Sequence, residues 1–196
     1  MPSIEEVFLI YRTHFVPAYG DVVALSAKKP SQILVEEANI LSHLAQYQNP
    51  ELSDEVRQDN LTKAYNHILR ATLDLHKLIW VFLKDKLETF IIKDSNKRLC
   101  FNIPEADVLN QYKQFVLQAQ KARRYEIEHI GNDPLNAIAK YDDLNKTGFE
   151  LYRQIDLEKV SKVQSFLQVV RTKEFLFGII TSLVATAILW LISLLV

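Results

Sequence analysis

Apolar positions between residues 61 and 90 recur in steps of three and four: Leu61, Tyr65, Ile68, Thr72, Leu75, Ile79, Phe82, Lys86 and Phe90. That period places one apolar stripe along an amphipathic helix. It predicts a long helix to Ile92, opened by Asp59 or Asn60. Upstream, Ser3 with Glu6 forms a capping box for a first helix over residues 4–15, which Pro17 is expected to stop. Ser31 after Pro30 opens a second helix to about Gln48, closed by Asn49 and Pro50. Residues 93–102 read as a polar connector, with Leu99, Cys100 and Phe101 as a short extended piece.

Pro104 and Glu105 start a fourth helix to Ile130, with Val108, Tyr112, Phe115, Val116 and Ala119 on its apolar side. Gly131 suits the position after a helix end, and Pro134 forbids continuation. A short helix is expected over residues 135–141. A last helix, from Asn145 or Thr147, is expected to run on to the end of the chain. The pattern predicts an all-α helical bundle. Its parts are N-terminal helices (1–58), a helical core (59–150), a juxtamembrane helix (151–174) and one transmembrane helix (175–196).

The final part differs from the rest in kind. Residues 175–196 read FLFGIITSLVATAILWLISLLV, 17 of 22 apolar and none charged. As a helix they measure about 33 Å, enough for a hydrocarbon core of about 30 Å. The N-terminal residues lack the basic and apolar runs of a signal peptide. Lys159, Lys162, Arg171 and Lys173 against Glu158 and Glu174 favour the cytoplasmic side for the preceding domain. With no residue beyond the span, a single-pass, tail-anchored membrane protein is expected. Gly178, Ser182 and Thr186 fall at spacings of four, with Ala185 and Ser193 near the stripe. Small residues in line allow helices to approach closely. They mark an oligomerisation or pore face, or else an anchor that tolerates them.

Composition removes other classes. A net charge of −1 with 48% hydrophobic residues excludes disorder, and a single Cys excludes a disulfide framework. The lone Cys100 agrees with a reducing compartment. Five His residues are scattered without HExxH, and four Gly form neither GxxxxGK[ST] nor GxGxxG. No metal and no cofactor is therefore expected. Lys113, Lys121, Arg123 and Arg124 form the densest basic cluster, with Lys121 and Arg123 as candidate RNA contacts. A sequence pI near 6.5 argues against constitutive duplex binding.

One pair remains. Arg124 and His129 close the fourth helix, and an Arg with a His can serve metal-independent RNA cleavage. The His would move a proton, and the Arg would stabilise charge on phosphorus. On an ideal helix they stand about 140° apart. Sharing a site then requires an unwound helix end or two subunits. Alternatively, His129 serves the helix dipole and the last carbonyls. Arg70 and His76 fit the same spacing, but Arg70 with Asp74 reads more simply as an i,i+4 ion pair.

The R-x4-6-H pattern in a helical chain resembles the HEPN superfamily (higher eukaryotes and prokaryotes nucleotide-binding), over roughly residues 60–150. Tyr125 stands where that family usually has a polar residue after the Arg. The resemblance implies a HEPN-like core, a homo-oligomer, and RNA or a CRISPR effector as partner. With the membrane segment, the chain is also similar to the small membrane accessory proteins of Cas13b-type CRISPR systems, which implies a pore-forming assembly. Three functions stay open: a membrane-permeabilising antiviral effector or CRISPR accessory protein, a membrane-tethered RNase using Arg124 and His129, and a non-enzymatic adaptor.

Overall fold

The structure, a computed structural model, describes residues 1–195; Val196 and the side chains of Arg171 and residues 187–195 lie outside the description. The chain is all-α. Its helices are α1 (Ile4–Ile10), α2 (Val16–Ser26), α3 (Ser31–Gln48), α4 (Asp54–Ile91), α5 (Glu105–Glu128), α6 (Pro134–Arg153) and α7 (Leu157–Leu195).

Pro17 does not stop the first helix. A π-helical turn over Tyr11–Phe15 joins α1 to α2, and the Val16 amide bonds the Tyr11 carbonyl. Widening the turn lets a residue without an N–H sit in the first turn of α2, where no donor is required. The Ser3–Glu6 capping box is present as expected.

The long helix begins earlier than its apolar stripe, at Asp54, because the Ser53 side chain accepts from the Val56 amide. Its buried stripe also drifts. Leu61, Ile68, Thr72, Leu75 and Ile79 are buried as the pattern predicts, but Leu83, Leu87 and Ile91 replace Phe82, Lys86 and Phe90. From Ile79 the buried positions step by four, and at 3.6 residues per turn each such step rotates the buried face by about 40° around the helix. α4 is the axis of the bundle, and α1, α2, α3, α5 and α6 all pack on it. One apolar core runs from Val7 to Leu151 and includes Phe15, Ile33, Ile68, Leu83, Phe115 and Tyr141.

Residues 134–153 form one helix, not a short helix and the start of the last one. Asp133 caps it and Ala137, Ile138, Tyr141, Leu144, Gly148 and Leu151 give it an unbroken buried face. Gly148 lets it wedge between α4 and α5: a Cβ there would stand 2.7 Å from the Phe115 ring and 3.0 Å from Leu83. The chain breaks at Gln154, and α7 starts anew under Asp156, whose carboxylate accepts from the amides of Glu158 and Lys159.

The connector between α4 and α5 is largely a 3-10 helix over Ser95–Cys100, and Phe101 forms an isolated antiparallel bridge with Ile155. Lys159 adds bonds to the Phe101 carbonyl (3.1 Å) and Asn102 Oδ1 (2.9 Å). The base of α7 is thereby fastened to the bundle. Farther along, Phe175, Leu176, Phe177, Ile179, Ile180, Leu183 and Val184 are all exposed. Among the described residues no helix is long and apolar enough to cross a membrane. The uncharged run is described with side chains only over residues 175–186, about 18 Å of helix. The remainder of the expected span, including Ser193, falls outside the described side chains.

Candidate functional site

Antiparallel α4 and α5 touch each other little and both pack on α6, which leaves two grooves along them. The register is set by Lys77 Nζ to Glu126 Oε1 (3.2 Å) and by Tyr112 Oη donating to Glu88 Oε1 (3.3 Å). The polar groove, about 680 Å³, lies between the first half of α4 and the α5–α6 junction. Lys63, His67, Arg70, Asp74 and Lys77 line one wall at helical spacing; Arg123, Glu126, His129 and Asp133 line the other. The second groove, about 710 Å³, is more apolar and is lined by Trp80, Val116, Ala119 and Ile127 with Arg123, Arg124 and Lys84.

Most charges in the polar groove are committed. Lys77 also pairs with Asp74 (2.6 Å), and Arg123 pairs with Glu126 (2.7 Å). Burial pushes the Glu126 carboxyl up, but bonds from Arg123, Tyr141 and Lys77 outweigh it and hold the group below its usual range. Lys63 pairs with Asp59 (2.7 Å). Asp74 is thus taken by Lys77, not by Arg70 as the i,i+4 spacing suggested. Among the described residues Arg70 makes no ion pair, and it is exposed in the groove wall.

Behind that wall lies an arrangement the sequence did not reveal. Glu36 on α3, 5% exposed, bonds His67 Nδ1 through Oε2 at 2.6 Å. His67 stacks on His43 with ring centroids 5.2 Å apart, and His43 Nδ1 is held by Asn60 Oδ1 at 2.9 Å. Glu36 takes a place on the buried side of α3 between Ile33 and Ile40. A carboxylate at an apolar-stripe position was the available signal. Its partner, 31 residues away on another helix, was not.

Arg124 and His129 do not converge within one protomer. Arg124 is exposed and lines the apolar groove, whereas His129 lines the polar one. α5 ends at Glu128, and His129 is its C-cap. His129 Nδ1 bonds the Tyr125 carbonyl at 3.0 Å, and its ring stacks on Tyr125 at 4.1 Å. Tyr125 Oη donates to Asp133, which also caps α6 and bonds Asn136. The Tyr125 bond is the leading cause holding the Asp133 carboxyl below its usual range. Gly131, at φ +75°, makes the turn between the two helices. His129 is therefore fixed in place by the junction, and a site combining it with Arg124 needs a second copy.

Lys121 is exposed without an ion pair among the described residues, while Arg123 is engaged by Glu126. His76, the partner in the second R-x4-6-H match, is 6% exposed inside the core and does not share a groove with Arg70. In α7, the Thr186 hydroxyl bonds the Ser182 carbonyl at 2.9 Å, and a Cβ at Gly178 would meet no atom within 4 Å. Gly178, Ser182, Ala185 and Thr186 are all exposed. Among the described residues no three His, Cys, Asp or Glu side chains converge as a metal site would require. Comparison with protein-family models, curated proteins and solved structures finds no match.

Proposed function

We propose that the chain is a membrane-anchored, HEPN-like antiviral effector or CRISPR accessory protein. It oligomerises through residues 175–196 and permeabilises or depolarises the membrane. The observation that carries this reading is the row of uncovered apolar side chains on α7, from Phe175 (68% exposed) to Val184 (52%). Seven large side chains left in water cost of order 10 kcal/mol relative to burial. Lipid, neighbouring copies of the helix, or both would cover them. The basic flank before residue 175 supports a cytoplasmic position for the bundle. Gly178, Ser182, Ala185 and Thr186 offer the small surface that close helix approach requires, with Ser193 continuing the pattern in sequence.

Expression of the full chain in bacteria carrying a potential-sensitive dye tests the reading. Depolarisation that Ser182→Leu abolishes, at unchanged protein level, is the expected result. Depolarisation retained in both Ser182→Leu and Gly178→Leu would reject the small-residue seam.

A dimeric, metal-independent RNase using Arg124 and His129 is the second reading. It is favoured by one observation: the grooves holding the two residues share Arg123 and Ile127 as a common wall. A docked copy could bring its own Arg or His across that wall. RNA degradation by purified protein in excess chelator, lost in His129→Ala, would promote it above the first. A purely adaptor role would leave both assays silent.

A further inference from the structure

Helix α3 turns its charges inward and leaves an uncharged face outside. Its charged and imidazole side chains all meet partners on the bundle: Glu36 bonds His67, Glu37 accepts from Tyr11 Oη at 3.1 Å, and His43 bonds Asn60. On the outer side Leu34, Val35, Ala38, Leu41, Ser42 and Ala45 are all exposed, Leu41 at 64%. Among the described residues α4 is the one element packed along α3, and no α3 residue lines either groove. Within the outer face Leu34, Ala38, Leu41 and Ala45 follow steps of four, three and four, which sets them in one row along the helix. The row alternates large and small side chains.

We propose that this face pairs with the same face of a second copy, the two α3 helices running antiparallel about a two-fold axis at the level of the Asn39–Ile40 peptide. The axis position follows from the row itself. Reversing the helix about that point sets Leu34 against the partner's Ala45 and Ala38 against the partner's Leu41. Each leucine then meets an alanine, and symmetry repeats both contacts, as a two-fold interface requires. Large against small at facing positions lets the helices interdigitate at the usual interaxial distance of about 8–10 Å. A parallel pair in register would set leucine on leucine and alanine on alanine, leaving gaps. The row is its own complement only when reversed, which is why the occupant is a second copy. No charge on the face has to be desolvated. The pairing leaves both grooves open and rests on neither membrane insertion nor RNA cleavage.

The test is disulfide trapping in the full chain in nonionic detergent. Leu34→Cys and Ala45→Cys are made on differently tagged copies, mixed and oxidised; the natural Cys100 is fully buried, and the natural chain gives the background. A Leu34→Cys copy cross-links to an Ala45→Cys copy in high yield. Like copies do not, because antiparallel pairing holds two Leu34→Cys positions about 16 Å apart along the helices, beyond the Cα separation of about 7 Å that a disulfide tolerates. Leu41→Glu, at an exposed position and with unchanged helical circular dichroism, lowers the cross-link at least tenfold, whereas Leu117→Glu on the exposed side of α5 does not. The cross-link persists in Gly178→Leu, so failure of the tail seam is read separately. Absence of the unlike cross-link, equal yield from like copies, or insensitivity to Leu41→Glu would each overturn the proposal. So would protection of Leu34→Cys from a water-soluble maleimide by added lipid vesicles without any cross-link, an outcome that assigns the face to lipid.

Discussion

Asn145 on α6 donates a hydrogen bond from Nδ2 to the backbone carbonyl of His76 on α4 at 2.9 Å, inside the core. The two side chains are 3% and 6% exposed, and Asn145 Nδ2 also lies 3.5 Å from His76 Nδ1. Among the described residues, His76 Nε2 and Asn145 Oδ1 have no partner. The bundle therefore carries an imidazole at its centre whose charged form has no compensating bond.

Burial depresses the His76 pKa to about 4; the Asp142 carboxylate opposes this, and the charges of His14 and Lys146 add to it. The folded pKa lies below the unfolded one. Between them the unfolded chain binds the extra proton, so stability is fully present above pH 6.5 and falls as pH drops toward 4. The full loss is about 3 kcal/mol. Urea titrations at pH 7 and pH 4.5 should show the midpoint falling for the natural chain, and falling less for His76→Leu. Because Asn145 bonds the backbone of position 76, the variant keeps that link. An equal pH dependence in both proteins would show that His76 is not the sensor.

Gly148→Ala should destabilise the bundle by about 1–3 kcal/mol, although alanine is the better helix former. The added methyl meets the Phe115 ring, fully buried and unable to swing away, and Leu83. Chemical denaturation measures it. Gly178→Ala provides the contrast, because its Cβ meets nothing within 4 Å and helix propensity should dominate.

Lys159→Ala should loosen the base of α7 with little effect on the core. Its ammonium joins the Phe101 carbonyl and Asn102, and losing these partly exposed bonds costs about 1 kcal/mol. Hydrogen exchange should quicken in the first turns of α7 and in residues 100–102. Exchange at Leu75 and Ile79 should not change.

Long amphipathic periods were the legible part of the sequence. α3, the middle of α4 and α5 up to Ala119 follow from spacing, since burial on one face imposes the pattern directly. The continuation of α2 through Pro17 was not legible, because one π turn absorbs a missing donor that a regular helix cannot. The fusion of residues 134–153 was hidden by Asp142, Asp143, Asn145 and Lys146, which look like a break. Three of these face outward, and Asn145 turns inward to a carbonyl of α4. Arg124 and His129 are five residues apart in sequence but face different grooves. Glu36 and His67 meet only through the packing of α3 on α4.

The unpartnered tail carries the central claim, and the mass of the intact detergent-extracted particle tests it most directly. Light scattering or native mass spectrometry of the full chain should give a discrete oligomer. Gly178→Leu should give a smaller species with the same helical content, since the position has open space around it within one protomer. A strict monomer for the natural chain would contradict assembly through residues 175–196, as would an oligomer of unchanged size after Gly178→Leu and Ser182→Leu together.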